Sequence, residues 1–303
     1  MGYFTIGSTL DVQKLGLSSK ATNICWVQVR DGRGERLIVC RFAAYLGEEI
    51  KLEELVYNFP HNLEVQSYAP KELLVGNVNL DGFGCGWYNS TVEEEPAQYA
   101  TLLPMWADHK FPTIAKALTS NVIFSAVRNA TLPFPNELSS VHPLANGKYL
   151  FLHNGSISDY TECKRTLENQ LPDEYFNMIQ SRSDSSLIFA AFMWKLSEIE
   201  ESDKSIKKAL IDTLDWLRKQ LENLEVGANL NIGITDGKSM LFIKHEISGT
   251  CNSLYYNESH ERLSNGILIA SEPLDEDKGW TTVPENTVME IKPGKHLKLS
   301  EIR

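Results

Sequence analysis

The sequence predicts an α+β fold in which helices are stacked in layers on a core of antiparallel sheet. Apolar segments of strand length come first, two amphipathic helices follow within residues 183–221, and strand-like segments return after residue 230. This order lacks the regular alternation of strand and helix that accompanies parallel sheets. A chain of 303 residues is long enough for one large domain with a substantial core, or for two modest domains.

The individual elements follow from local patterns. Residues 37–47 are apolar, rich in β-branched and aromatic side chains and end in a glycine, which predicts a buried first strand. Glycines alternate with large apolar residues over 81–88, which indicates a strand that another backbone or a ligand approaches closely. Buried strands are also predicted over 121–128 and 148–153, with Asn154-Gly155 directly after the second. Helices are predicted over 50–58, 111–120, 183–194 and 206–221, a turn-rich segment over 62–79, and further strands over 230–234, 240–244, 253–256, 266–270 and 287–291.

Composition argues against several classes of protein. The formal net charge of -11 disfavours general affinity for nucleic acid or for an anionic membrane surface. The five cysteines are scattered, odd in number and without C-x-x-C pairs, so neither a disulfide framework nor a zinc site is indicated. No apolar run approaches the roughly 20 residues that a membrane-spanning helix needs. We therefore expect a cytoplasmic protein that contacts neither membrane nor nucleic acid.

Cys40 is the candidate nucleophile. It lies in the first predicted strand, and a cysteine becomes chemically useful when its thiolate is stabilised and a base is within reach. If Cys40 were the first residue of the working enzyme, its own α-amino group could be that base. The other cysteines have no activating neighbour in the sequence.

Residues 1–39 differ from the rest of the chain. Their first 36 residues contain more Lys and Arg than Asp and Glu, and polar residues and glycines break up the small apolar groups. We interpret 1–39 as a leader or a mis-assigned start that is absent from the mature enzyme, and 40–303 as the functional domain. Bacterial initiation can use a GTG codon, which a translated sequence shows as valine, and Val39 directly precedes Cys40. A processed leader and a retained tail are the alternatives.

Further candidate residues lie at predicted strand ends and at a helix start. Arg128 ends an apolar strand, where a guanidinium could bind a carboxylate with two parallel hydrogen bonds; a strand-end salt bridge is the alternative. The Asn154 amide and the Gly155 backbone N–H could donate to a developing oxyanion, although Asn-Gly is also a common turn dipeptide. Asp184 could cap its helix or hold the ammonium group of a ligand. Together these residues suit an amide hydrolase that acts on an amino-acid head group.

These residues stand in motifs that resemble the class II glutamine amidotransferase domain of the N-terminal-nucleophile hydrolase superfamily. The matching motifs are Cys40-Arg41-Phe42, Asp81-Gly82-Phe83-Gly84-Cys85-Gly86-Trp87-Tyr88, Val127-Arg128-Asn129-Ala130-Thr131, His153-Asn154-Gly155 and Ser183-Asp184-Ser185. The resemblance covers residues 40–295 and implies a four-layer αββα sandwich. Residues 1–39 are the departure from the family pattern, because they block the amine that should act as the base.

The resemblance also implies a role for each candidate residue. Cys40 would be the nucleophile, and Asn154 with Gly155 would form the oxyanion hole. Arg128 would bind the α-carboxylate of a γ-glutamyl group, and Asp184 would bind its α-ammonium group. No metal and no organic cofactor is implied.

Within the superfamily the chain is most similar to the stand-alone γ-glutamyl hydrolases of ergothioneine biosynthesis, which act on γ-glutamyl-hercynylcysteine sulfoxide. Stretches 65–70 and 269–280 resemble that subfamily. The alternatives are a hydrolase of glutathione-like γ-glutamyl peptides, a glutaminase subunit that supplies ammonia to a separate synthetase, and a non-catalytic binding protein if the leader persists. The sequence leaves open whether the protein forms a homo-oligomer.

Overall fold

The centre of the molecule consists of two antiparallel sheets, and helices cover both outer faces. The computed structural model describes residues 40–72, 78–89, 91–129, 136–200, 205–248, 251–294 and 296–302. The predicted α+β fold with a four-layer αββα sandwich is confirmed. Residues 1–39 lie outside the described residues, so the predicted domain boundary at residue 40 stays a prediction.

The strands are divided between two sheets. They are β1 (Arg41–Lys51), β2 (Phe83–Trp87), β3 (Ala97–Thr101), β4 (Thr119–Val127), β5 (Leu144–Asn146), β6 (Tyr149–Ile157), β7 (Ala228–Thr235), β8 (Met240–Ile247), β9 (Tyr255–Asn257), β10 (Gly266–Ala270), β11 (Thr281–Thr282), β12 (Thr287–Lys292) and β13 (His296–Glu301). The first sheet has the order β11-β9-β10-β1-β4-β2-β3, and the second has the order β13-β12-β8-β7-β6-β5. β1 is therefore central in the first sheet, between β10 and β4.

The helices form the outer layers. They are α1 (Leu52–Val56), α2 (Leu63–Tyr68), α3 (Phe111–Ala117), α4 (Tyr160–Glu168), α5 (Asp173–Phe176), α6 (Asp184–Ser197) and α7 (Ser205–Leu224). The first three cover the first sheet, whereas α4, α6 and α7 cover the second. None of the helices in the described part of the chain is long and apolar enough to cross a membrane.

β1 is buried on both faces because it lies between two cores. Ala43 and Tyr45 belong to the core under α1–α3, whereas Phe42 and Leu46 belong to the core between the sheets. A strand with side chains in two cores has no polar face, which explains the continuous apolar run in the sequence. By the same alternation Arg41 lies on the face that is covered by α1–α3.

Several predicted segments differ from the elements in the structure. β6 does not end before Asn154-Gly155 but continues to Ile157, fully paired with β7, so this dipeptide is strand and not a turn. The segment predicted to be turn-rich contains α2, whose first turn is capped by the Asn62 side chain accepting from the Val65 N–H.

Sequence patterns also missed some elements. β3 and β13 are sheet-edge strands with largely exposed or half-exposed residues, so they lack the apolar run that identifies a buried strand. The predicted helix over 111–120 ends at Ala117, and Thr119 already begins β4. The first two helices after β6, α4 and α5, are short and were not predicted.

Candidate active site

The Cys40 thiol and Arg128 lie at the same end of the first sheet. β1 and β4 are antiparallel with Arg41 opposite Val127, so Cys40, directly before β1, lies opposite Arg128, directly after β4. The Cys40 Sγ is 3.9 Å from the carbonyl oxygen of Asn129. Cys40 is partly exposed and Arg128 is buried. The structure thus places two residues from separate motifs side by side.

The thiol of Cys40 is hard to ionise. Burial raises its pKa above the ordinary value, and the negative charge of Asp184 acts in the same direction. The positive charges of Arg128 and Arg41 oppose this shift without cancelling it. The thiol is therefore protonated at neutral pH and needs a base before it can attack a carbonyl group.

The histidines beside the predicted site residues are poor candidates for this base. Nε2 of the buried His153 donates to the carbonyl oxygen of Asn229 at 3.3 Å, so its Nδ1 accepts from the Ser185 hydroxyl at 2.9 Å. Burial lowers the pKa of His153, and it lowers the pKa of His142 to about 3. An imidazole with both nitrogens engaged, or with so low a pKa, is a weak proton acceptor at neutral pH.

The side-chain amide of Asn154 has a fixed orientation. Its Oδ1 accepts from Asn252 Nδ2 at 3.1 Å, and its Nδ2 donates to Ser271 Oγ at 3.3 Å. Ser271 Oγ also accepts from the Phe42 N–H at 3.0 Å, so one hydroxyl joins Asn154 to the strand that begins beside Cys40. An amide nitrogen has two hydrogens, and the described contacts use one of them. The other suits an oxyanion.

Gly155 has no room for a side chain. A Cβ at this position would lie 1.8 Å from the carbonyl oxygen of Asn229 and 2.8 Å from Nε2 of His153. The first of these atoms belongs to the backbone of β7 and cannot move aside alone. Packing therefore requires glycine at position 155, independently of its predicted role as an oxyanion donor.

We expect Gly155→Ala to destabilise the protein by about 3 kcal/mol or more, because the methyl group forces β6 away from β7. The measurement is the free energy of unfolding in urea. Ser156→Ala is the matched control, since Ser156 is the next residue of β6 and is partly exposed. A Gly155→Ala protein as stable as the control would contradict the close approach of the two strands.

Asp184 is the first residue of α6 and not its cap. The cap is Ser183, whose hydroxyl accepts from the Ser186 N–H. Asp184 accepts instead from the Ile157 N–H at 2.9 Å and from the Ser185 N–H at 2.8 Å. These bonds hold the carboxylate at the end of β6, close enough to the nucleophile to influence its ionisation.

The structure brings all five predicted residues to one end of the two sheets. Cys40 and Arg128 come from the first sheet, Asn154 and Gly155 from β6 of the second, and Asp184 from α6. The region therefore contains a candidate nucleophile, two candidate oxyanion donors and two opposite charges, which come from distant parts of the sequence.

Sequence reasoning assigned no role to Ser271 and Glu272, which support this region. Ser271 contacts Phe42 and Asn154, and the fully buried Glu272 accepts from the side chain of Arg41, 231 residues earlier. The available signal was a polar pair directly after the buried strand β10. That signal does not identify partners so far away in the sequence.

A cavity of about 260 Å³ opens beside the first turns of α6. Its lining includes Val141, Met178, Gln180, Ser186 and Phe189. The described residues that line it are all uncharged, and none of the five predicted site residues is among them. The cavity is therefore adjacent to the helix that begins with the predicted ammonium ligand, but it is separate from the charged groups of the site.

Comparison with known sequences identifies relatives over most of the chain. No protein-family model matches it. The chain is 30% identical over 293 residues to a probable glutamine amidotransferase (DUG3) of Saccharomyces cerevisiae, covering 84% of this chain and 82% of the relative. It is also 30% identical over 254 residues to the γ-glutamyl-hercynylcysteine sulfoxide hydrolase of Mycobacterium tuberculosis, covering 84% and 93% respectively.

Solved structures share the fold. A glutamine aminotransferase class-II domain protein from Silicibacter pomeroyi superposes with a TM-score of 0.64 and 21% identity, over 87% of this chain and 100% of that one. The glutamine phosphoribosylpyrophosphate amidotransferase of Bacillus subtilis superposes with a TM-score of 0.60 and 15% identity, over 87% and 49%. At 21% and 15% sequence identity, these superpositions show a shared fold only.

The sandwich of two antiparallel sheets between helical layers is the fold of the glutamine aminotransferase class-II domain protein and of the amidotransferase on which the chain superposes. The two relatives at 30% identity are matched over 82% and 93% of their length. This chain belongs to the class II glutamine amidotransferase family. It is an enzyme of the C–N hydrolase type that acts on γ-glutamyl amides, as a hydrolase or an amidotransferase.

Proposed function

We propose that the enzyme releases glutamate from a γ-glutamyl amide through a Cys40 thioester, and that its substrate is γ-glutamyl-hercynylcysteine sulfoxide. The grouping of a thiol, a guanidinium and a carboxylate on Cys40, Arg128 and Asp184 supports this most strongly. The mycobacterial relatives are 29–30% identical over 93–96% of their length, and their names support hercynylcysteine sulfoxide as the leaving group. We further propose a cytoplasmic enzyme that needs no cofactor, membrane or nucleic acid.

The two charged residues suit the amino-acid head group of such a substrate. A γ-glutamyl group presents an α-carboxylate and an α-ammonium, which are complementary to Arg128 and Asp184. Arg128 is buried and donates to Asn136, so its planar guanidinium is already oriented. Opposite charges fixed near the thiol would align the γ-carbonyl with it and discriminate against amides that lack the head group.

In the first half-reaction the α-amino group of Cys40 accepts the thiol proton and the sulfur attacks the γ-carbonyl carbon. Negative charge develops on the carbonyl oxygen, where the second N–H of Asn154 and the backbone N–H of Gly155 donate to it. The α-ammonium then protonates the leaving nitrogen. The C–N bond breaks, the amine departs, and a γ-glutamyl thioester remains on Cys40.

In the second half-reaction water replaces the amine. The α-amino group of Cys40 removes a proton from water, the resulting hydroxide attacks the thioester carbon, and the same two donors stabilise the oxyanion. The C–S bond breaks, and the sulfur regains a proton from the α-ammonium. Glutamate leaves, and the enzyme returns to its starting state.

This chemistry requires a free amine on Cys40. In the chain as written, that nitrogen forms a peptide bond with Val39, and an amide nitrogen does not accept the thiol proton. We therefore propose that the catalytic form begins at Cys40. The raised pKa of the thiol and the engaged nitrogens of His153 support this, since they leave the α-amine as the base best placed to act.

The test of the proposed function is covalent labelling combined with a substrate comparison. A diazo ketone analogue of glutamine should modify the enzyme once, and mass spectrometry of peptides should locate the adduct on Cys40. Glutamate release should be faster from γ-glutamyl-hercynylcysteine sulfoxide than from glutathione or glutamine. An adduct on Cys85, Cys163 or Cys251 would overturn the assignment of the nucleophile.

The name of the yeast relative favours a second candidate, a glutaminase that passes ammonia to a separate acceptor enzyme. The substrate comparison separates the two, because this candidate predicts glutamine as the fastest substrate. Co-purification of a synthetase with the native protein would support it further. If glutathione is the fastest substrate, the enzyme is instead a hydrolase of glutathione-like peptides.

A further inference from the structure

We propose that Glu272 is a positioning residue for the nucleophile and that it acts through Arg41 on the carbonyl group of Cys40. The inference rests on the proposed function, because it concerns the orientation of the same thiol and α-amine. It assigns Glu272 a role in the reaction although its described contacts are all with protein groups other than the thiol.

The Glu272 carboxylate is completely buried and accepts four hydrogen bonds. Oε1 accepts from Arg41 Nε at 2.7 Å and from the Glu72 N–H at 3.2 Å, and Oε2 accepts from His61 Nε2 and the Lys71 N–H, both at 2.8 Å. Burial alone would raise the pKa of Glu272, but the His61 hydrogen bond and the Arg41 charge lower it to about 2. The carboxylate is therefore ionised at neutral pH, and its four hydrogen bonds fix its orientation.

Arg41 connects the fixed Glu272 carboxylate to Cys40. Its side chain is 1% exposed, and while Nε binds Glu272, Nη1 donates to the Cys40 carbonyl oxygen at 3.0 Å. The guanidinium is planar, so a carboxylate that fixes Nε also fixes the direction of Nη1. The orientation of the peptide group between Cys40 and Arg41 is thereby set by Glu272.

The orientation of that peptide group matters most for a chain that begins at Cys40. An N-terminal residue has no preceding peptide bond to restrain it, so rotation about its Cα–C bond moves both the thiol and the α-amine relative to the sheet. A hydrogen bond to the carbonyl oxygen restrains this rotation. Misplacement of a reacting group by about 1 Å can reduce a rate about 10²-fold.

A buried ion pair can also serve stability alone, so the two roles must be separated. The charged groups that act on the Cys40 thiol are Arg128 directly after β4, Asp184 at the start of α6 and the neighbouring Arg41. Glu272 offsets the charge of Arg41. Removing the Glu272 charge leaves Arg41 uncompensated, which lowers the pKa of the thiol. Loss of positioning also lowers kcat, whereas an ion pair that serves stability alone would leave kcat unchanged in the molecules that remain folded.

The experiment compares wild-type enzyme with Glu272→Gln, each in the form that turns over and each normalised to folded protein. With γ-glutamyl p-nitroanilide, we expect kcat to fall about 10²-fold with KM changed less than threefold. The rate of Cys40 alkylation by iodoacetamide should reach half its maximum at a lower pH than in the wild type. An unchanged kcat in folded Glu272→Gln would overturn the proposal, and so would an unchanged alkylation profile.

Two further variants keep the test informative if Glu272→Gln folds poorly. Arg41→Lys retains the charge but cannot bind Glu272 and the Cys40 carbonyl with one planar group, so kcat should still fall, and a wild-type kcat would overturn the proposal. Glu290→Gln is the control, since it removes another ion pair, with Lys207, and should leave kcat unchanged. Failure of the wild type to cleave any γ-glutamyl amide would overturn the proposed function instead, and the alkylation profile would still test Glu272.

Discussion

A chain that begins at Cys40 is expected to hydrolyse a γ-glutamyl amide about 10²–10⁴-fold faster than the same chain with one alanine ahead of Cys40, the range expected for loss of a general base. The extra residue converts the α-amine into an amide, which cannot accept the thiol proton. Burial raises the pKa of the thiol, so little thiolate forms without the base. The measurement is kcat/KM for glutamate release, with the N-terminus of each protein verified by intact mass.

The added alanine is a matched control because it leaves the charged residues and the two oxyanion donors unchanged. Urea unfolding of both proteins checks that the difference concerns chemistry and not folding. The purified 303-residue chain that retains residues 1–39 by intact mass is expected to be as slow as the alanine variant. If that longer protein turned over at the rate of the shortened chain, Cys40 could not be using its own amine.

Residues of the candidate site could be predicted from the sequence where they lie at one end of an apolar segment. Arg128 is a charge directly after a buried strand, and Asp184 is the first residue of an apolar, largely buried helix, so both stand out in the sequence. Asn154 was predicted as a site residue for the same reason, although the strand in fact continues beyond it. The continuation was missed because Asn-Gly is favoured in turns, and pairing with β7 overrides that preference.

The roles of Ser271 and Glu272 could not be predicted because their contacts depend on which strands are neighbours in the sheet. Glu272 is a charged residue directly after an apolar strand, and a sequence pattern places such a residue on the protein surface. It is buried only because β10 lies beside β1, which brings it against Arg41 from 231 residues earlier. The same pairing gives Ser271 its contact with the Phe42 backbone. The parts missed in this site are thus those that depend on sheet order.

Asn154→Ala is expected to reduce kcat about 10²–10³-fold and to leave KM nearly unchanged, because the amide donates to charge that develops only in the transition state. Asn252 and Ser271 hold the amide in one orientation, so in the proposed role its second N–H needs no reorientation during the reaction. Steady-state kinetics with γ-glutamyl p-nitroanilide measure the effect on kcat and KM separately.

Asn252→Ala is the informative comparison for this variant. It removes the bond to Asn154 Oδ1 but keeps the donor, so the amide can still reach the oxyanion after rotating, and kcat should fall less than in Asn154→Ala. Asn154→Ala loses two side-chain hydrogen bonds and Asn252→Ala loses those that its side chain donates to Asn154, and urea unfolding would register a cost of about 1–3 kcal/mol. If Asn154→Ala lost stability but kept the wild-type kcat, Asn154 would be a structural residue and the oxyanion would have to be stabilised by other groups.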